Sequence, residues 1–177
     1  MRPLINILCC FCAISSYAQD NDDTSATFRL SEIALIDLEP NNAAVSLKVV
    51  APNNAGEKAI IVATNNNKWI NFSSAVKSST ASRSIFVKIV YGQVPPGIYL
   101  KLRTENYSGF GEYGKTPSLI TLNNQEQTIV TGIRGAYTGN GADNGFKLTY
   151  ELDIYDYKLL DFDQSATLSI SLTLTDF

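Results

Sequence analysis

The last stretch of the chain carries its most regular hydrophobic pattern. Between Ser165 and Thr175, alanine, leucine and isoleucine alternate without exception with serine and threonine. A period of two places every apolar side chain on one face of a β-strand, whereas a helix would scatter them around its axis. The pattern predicts a long strand with one buried face, which needs a sheet beside it and an opposing layer to cover it.

A second stretch, 146–154, alternates almost as regularly, and only the loop 156–164 separates it from the last strand. This short connection predicts that the two strands pair antiparallel. Shorter alternating or β-branched runs predict further strands at 26–30, 45–49, 59–63, 68–72, 85–91, 98–102, 119–122 and 129–133. The first of these is interpreted as the opening strand of the domain, and 59–63 as a buried strand.

Turn residues separate these runs. Pro, Gly and Asn clusters occur every 8–15 residues or so, and no segment shows helical periodicity. About ten short strands spaced in this way predict an all-β fold, an antiparallel β-sandwich of immunoglobulin-like, Greek-key type. A β-barrel is the alternative architecture.

The N-terminus reads as an export signal. Arg2 precedes an apolar run, and Ser16-Tyr17-Ala18 offers a small-x-small cleavage site. Residues 1–18 are therefore predicted to be a signal peptide, with 19–177 as a single secreted domain. The apolar run is only about half as long as a membrane span of roughly 20 residues. The three cysteines within it lack the preceding small residue expected for lipid attachment.

Composition narrows the function classes. All three cysteines lie in the predicted signal peptide, so the exported chain would have no disulfide or thiolate site. The formal net charge of −3 with scattered charges argues against nucleic-acid binding. Beyond the signal, no segment is long and apolar enough to span a membrane. We predict a secreted or cell-surface protein that needs no cofactor.

Catalytic motifs are missing from the sequence. The chain contains no histidine, which removes Ser-His-Asp and Cys-His machinery. Four aspartates between 153 and 163 could supply a glycosidase pair, but we interpret them as solvated or turn charges. The glycine- and asparagine-rich loop 139–145 could hold calcium or could simply supply positive φ angles between strands, and the sequence leaves this open. We expect no enzyme activity and no metal site.

The stretch 105–115 is the best candidate for ligand binding. Its glycines interrupt the strand pattern, and three aromatic rings lie close together among polar groups. Such rings can stack on sugars or anchor a protein partner. The predicted site residues are Tyr107, Phe110, Tyr113 and Asn106. The alternative is that the rings fold back to cover the open end of the sandwich.

Three motifs resemble a group of secreted β-sandwich proteins of Bacteroidetes whose function is not known. They are S-E-I-A-L-I-D-L-E-P (31–40), K-W-I-N-F (68–72) and the glycine-rich segment with its following strand (128–150). More distantly, the chain is similar to the immunoglobulin-like, pilin-like domains of bacterial surface fibres. The resemblance implies a secreted sandwich of bacterial origin and supplies no catalytic residue.

These observations predict a secreted structural or adhesive surface protein, such as a fibre or matrix subunit that associates with its own copies. The alternating segment 26–30 could add to the sheet edge of a neighbouring copy, although we favour its role as a strand of its own domain. The alternative function is a carbohydrate- or ligand-binding sandwich module that uses the aromatic, glycine-rich stretch. In that case its partner would be a surface glycan or protein.

Overall fold

A computed structural model describes residues 26–41, 44–105, 107, 109–161 and 165–176. The chain divides into two units, 1–30 and 31–177, and every strand among the described residues belongs to the second. The predicted signal peptide, 1–18, lies outside the described residues. Within the first unit, residues 26–30 lie in no strand, so the prediction of an opening strand there is wrong.

The protein is all-β, and the described ranges contain no α-helix. The strands are β1 (Ile33–Glu39), β2 (Ser46–Val50), β3 (Ile60–Thr64), β4 (Asn67–Ala75), β5 (Arg83–Tyr91), β6 (Ile98–Thr104), β7 (Phe110–Lys115), β8 (Leu119–Thr121), β9 (Gln127–Tyr137), β10 (Phe146–Ile154) and β11 (Ser169–Asp176). A short 3₁₀ helix, Tyr157–Leu159, follows β10. The predicted antiparallel β-sandwich is confirmed, and the barrel alternative is not.

Within the described residues, nine strands form one hydrogen-bonded network, and β2 and β3 form a separate pair. The network consists of two groups of neighbours, β11-β5-β9-β7 and β1-β4-β10-β6-β8. A short ladder joins the groups where Ser73 and Ser74 of β4 face Tyr137 and Ala136 of β9. We call this junction the seam. Every pairing is antiparallel.

One core lies between the two groups of strands. Its fully buried side chains come from β4, β5, β6, β9 and β10, as their alternating apolar positions require. Aromatic rings from both groups meet there: Tyr113 of β7 lies 6.2 Å from Phe146 of β10, and Phe146 stacks on Phe72 at 6.1 Å. These contacts identify the core as the filling of a sandwich.

The last strand does not pair with β10 as the sequence predicted. β11 pairs with β5, while β10 lies between β4 and β6 in the other group. The loop after β10 therefore carries the chain from one group of strands to the other instead of making a hairpin. The prediction of a buried strand at 59–63 is also wrong, because every residue of β3 is exposed.

A buried arginine ties the two terminal strands to the core edge. Arg83 donates from Nε to the Asp176 carboxylate at 2.6 Å and from Nη1 to the Ser74 hydroxyl at 3.3 Å. The same guanidinium bonds the Ile33 carbonyl and forms an ion pair with Glu32. A buried guanidinium needs such partners, since an unpaired buried charge is costly. Arg83 thus links the start of β1 to the end of β11.

Candidate functional site

The structure separates the predicted aromatic site residues. Residues 110–115 form strand β7 instead of an open loop, and Asn106 lies outside the described residues. Tyr107 and Tyr113 are half-buried and pack against the core. Phe110 alone of the three is largely exposed, at 63%. The three rings therefore do not form one surface.

Phe110 has an aromatic partner that the sequence did not reveal. It faces Tyr137 of β9 across the ladder, and the two rings stack with centroids 4.9 Å apart and planes 11° from parallel. Tyr137 is itself half exposed. Cross-strand aromatic pairs stabilise a sheet by about 0.2–1 kcal/mol, and the exposed ring surface remains open for contact.

Gly111 fixes the approach of β7 to β9. Its φ is +82°, and a Cβ there would lie 2.1 Å from the Gly135 carbonyl oxygen, so no other residue fits. The pairing register shifts between Gly111 and Tyr113, which is a bulge in the ladder. On one side of this bulge Phe110 remains exposed, while on the other Tyr113 packs against the core.

A row of side chains crosses the seam beside this aromatic pair. Leu35 of β1 faces Ser73 of β4, Ser73 faces Tyr137, and Tyr137 faces Phe110. Residues directly opposite each other project from the same face of a sheet. Leu35 is 67% exposed, and Ile33, two residues earlier on the same face, is also exposed. Ser73 is the one small residue in the row.

An open groove of about 440 Å³ lies at this place. Its lining residues are Ile33, Ser73, Ser74, Phe110, Gly111, Gly135, Ala136 and Tyr137. We call it the seam groove. Small floor residues between large apolar walls leave room for a ring or an aliphatic side chain, and the volume falls within the usual range for ligand sites.

Charged side chains near the predicted stretch are engaged elsewhere. Glu105 forms an ion pair with Lys147, and Glu112 with Arg134, each at 3.4 Å. Neither carboxylate lines the seam groove. The groove is therefore apolar, with the Ser73 and Ser74 side chains as its polar groups. The Ser74 hydroxyl already accepts a hydrogen bond from Arg83.

The outer face of the β6–β10 pair carries cross-strand ion pairs. Lys101 contacts Asp153 at 2.5 Å, and Arg103 contacts Glu151 at 2.8 Å. The hydrogen bond to Glu151 and its negative charge raise the pKa of Arg103. Asp156 accepts a hydrogen bond from the Lys158 amide at the start of the 3₁₀ helix. Two aspartates weighed as glycosidase candidates thus have structural partners, while Asp163 lies outside the described residues.

The glycine-rich loop 139–145 is held by hydrogen bonds from Asn71. Its side-chain amide donates to the Asn144 carbonyl, and its side-chain oxygen accepts from the Gly141 amide, each at 2.7 Å. Gly139, Gly141 and Gly145 all have positive φ, as does Asp143. Within the described ranges, no group of three or more His, Cys, Asp or Glu residues is placed to hold a metal ion.

Sequence reasoning missed Ile33, Leu35, Ser73 and Tyr137. Alternation could have assigned Leu35 to an outward face, but only the strand pairing brings these residues to Phe110. A second exposed stack, Tyr99 on Tyr155 at 4.2 Å, was missed for the same reason. Neither aromatic pair is close in sequence.

Fold and groove together define the class: an antiparallel β-sandwich with an exposed apolar groove at the seam between its two groups of strands. The chain matches no protein-family model, and comparison with curated proteins and with solved structures found no match. The resemblance to secreted Bacteroidetes proteins and surface-fibre domains therefore stays a prediction. In the described part of the chain, no helix is long and apolar enough to cross a membrane.

Proposed function

We propose that this protein is an exported structural or adhesive protein that acts at the cell surface by associating with other copies of itself, and that it is not an enzyme. One observation carries the proposal. Phe28 and Leu30 are 89% and 96% exposed in a segment that lies in no strand. Burying one such side chain contributes about 1.5–3 kcal/mol of free energy, so burying both against another copy would favour association.

The pattern around these residues suits addition to a sheet. Ala26, Phe28 and Leu30 alternate with Thr27 and Arg29, which gives a strand one apolar and one polar face. An extended segment of this kind gains backbone hydrogen bonds by pairing with the open edge of a neighbouring sheet, and its alternate side chains supply the specificity. Residues 26–30 pair with no strand in the described part of the structure and leave Phe28 and Leu30 exposed. We therefore propose the sheet edge of a second copy as their partner.

The test uses residues 19–177 and a Phe28→Ser/Leu30→Ser variant. We expect the parent to form assemblies that grow with concentration in sedimentation velocity, and the variant to stop at a smaller species with an unchanged melting temperature. A Val90→Ser/Tyr91→Ser variant removes comparable exposed apolar groups at the end of β5 and serves as the control. Equal assembly by the parent and the Phe28/Leu30 variant would contradict the proposal.

A second candidate function is carbohydrate or ligand binding at the seam groove. The observation that favours it is the exposed Phe110–Tyr137 stack beside the Ser73 hydroxyl. Aromatic faces pack on the apolar face of a sugar ring, and a hydroxyl at the floor can bond a ring substituent. This candidate site keeps Phe110 from the sequence prediction. Its second aromatic ring is Tyr137, and Tyr107 and Tyr113 are not part of it.

A glycan array separates this candidate from self-association. We expect Phe110→Ala and Tyr137→Ala to remove any glycan signal while preserving the melting temperature. The matched control is Tyr155→Ala, which removes a ring of similar exposure to Tyr137 from the other stacked pair. A blank array obtained with folded parent protein would contradict carbohydrate binding at the seam groove.

A further inference from the structure

Strand β3 differs from every other strand in the described part of the chain. All five of its residues are exposed, including three β-branched aliphatic residues, Ile60, Ile61 and Val62. Among the described residues its partner is β2 alone. Adjacent residues project to opposite faces, so the strand is apolar and open on both. A two-stranded sheet of this kind is marginal on its own and gains from a further strand.

The hairpin is fixed to the sandwich along its inner side. Val45, just before β2, and Leu47 of β2 pack against the core. At the start of β3, the Ala59 amide donates a hydrogen bond to the Tyr157 hydroxyl at 3.1 Å. These contacts hold β2 and the base of the hairpin, and in the described part of the chain no strand pairs with the outer edge of β3.

This outer edge lacks the features that normally prevent pairing between molecules. Proteins protect exposed edges with lysine, proline, bulges or very short strands. The sequence of β3, I-I-V-A-T, contains no charge and no proline, and its pairing with β2 is regular over all five residues. An unprotected, regular and apolar edge favours addition of another strand.

We propose that the free edge of β3 pairs antiparallel with β3 of a second copy, about a twofold axis through Val62. Full overlap then places Val62 opposite its own counterpart, Ile60 opposite Thr64, and Ile61 opposite Ala63. The nearest charged residue, Lys58, falls opposite Asn66, so like charges do not meet across the axis. An antiparallel strand paired with itself is self-complementary, as an isologous twofold interface requires.

The resulting sheet has the order β2-β3-β3-β2 and buries apolar side chains of both copies. The contact uses neither the segment 26–30 nor the seam groove. It therefore goes beyond the proposed function, and it can fail while assembly through Phe28 and Leu30 persists. For that reason its test is carried out in the Phe28→Ser/Leu30→Ser background.

The first test is cysteine cross-linking. Residues 19–177 contain no cysteine, so one introduced thiol reports a single position. At the twofold axis, Val62→Cys places the thiols of the two copies directly opposite each other, within the span of a disulfide. We expect a cross-linked dimer under mild oxidation. Thr64→Cys is the matched control, because it lies on the same strand face but four residues from its counterpart. Cross-linking at position 62 no faster than at 64 would overturn the proposal.

The second test is charge placed at the axis. Val62→Lys sets two ammonium groups opposite each other, and we expect the dimer dissociation constant to rise by about tenfold or more. Val62→Thr keeps the β-branched shape and should retain the dimer. A Phe28→Ser/Leu30→Ser protein that stays monomeric at all concentrations would overturn the proposal. A dimer that Val62→Lys leaves intact would also overturn it. If Val62→Lys does not fold, the cross-linking result decides.

Discussion

Strands β10 and β11 have nearly the same sequence pattern and very different positions. β10 pairs on both sides, with β4 and β6, and buries Phe146, Leu148 and Tyr150 completely or almost so. In the described part of the chain β11 pairs with β5 alone, and its leucines and isoleucine are only half-buried. Alternation therefore reports which face of a strand is apolar. It does not report how many neighbours the strand has or how deeply they cover it.

The largest effect is expected in β10. Phe146→Ala removes a fully buried ring that contacts Phe72 and Tyr113, and leaves a cavity between the two groups of strands. We expect the free energy of unfolding to fall by about 3–5 kcal/mol, measured by urea denaturation. A loss below about 1 kcal/mol would mean that β10 is not a central core strand.

Alkaline pH should destabilise the protein through Tyr150 of β10. Burial raises the pKa of Tyr150 to about 12, above its ordinary value of 10.0. The folded state then holds a proton that the unfolded state releases, so stability falls as pH rises from 10 towards 12. The difference corresponds to roughly 2–3 kcal/mol when the titration is complete.

The control for this pH effect is Tyr150→Phe, which cannot titrate at that position. Its stability, followed by urea denaturation between pH 9 and 12 or so, should fall less steeply than that of the parent. The two proteins differ only at residue 150, so the difference between their pH profiles reports the ionisation of Tyr150. Parallel pH profiles for the two proteins would contradict the assignment.

A smaller loss is expected from the same kind of truncation in β11. Leu172 packs against the core from the edge of its group of strands and is only half-buried. Leu172→Ala should lower the free energy of unfolding by about 1–2 kcal/mol, since less apolar area leaves the core and solvent fills the space. Denaturation in urea measures it beside Phe146→Ala. A loss equal to that of Phe146→Ala would erase the distinction between the two strands.

The smallest effect is expected on the outward face of β11. Thr173 is exposed and lies between two half-buried leucines. Thr173→Lys should change the free energy of unfolding by no more than about 0.5 kcal/mol, because the ammonium group stays in solvent. A thermal melt of the variant checks this, and a large loss would show that this face is covered.

Sequence patterns predicted the fold class and the positions of most strands. The bounds 146–154 match β10, alternation identified β6, and continuous apolar or β-branched runs identified β5 and the middle of β9, because these patterns are local in sequence. Pairing partners were not predictable, since they depend on contacts between residues far apart in the chain. The apolar run of β3 shows the same limit: five apolar or small residues suit a buried strand and an open edge equally well.

The candidate site was predicted only in part. Phe110 was identified from its aromatic, glycine-rich surroundings, but Tyr137 faces it only through the β7–β9 ladder, and Ile33 of β1 lines the same groove only through the strand pairing. Tyr113 looked equivalent to Phe110 in sequence. The register shift after Gly111 gives the two rings different environments, and that bulge depends on the close approach of the Gly135 carbonyl.

Central strands such as β10 pair on both edges and are buried, whereas residues 26–30 pair with no strand among the described residues and expose apolar side chains. This contrast is the basis of the proposed self-association. Hydrogen exchange of residues 19–177, read by mass spectrometry at low and high protein concentration, tests it most directly. The account predicts that β10 amides exchange slowest at both concentrations, whereas amides of 26–30 become protected only at high concentration, when the segment joins a neighbouring sheet. Amides of 26–30 that stay unprotected at every concentration would contradict it.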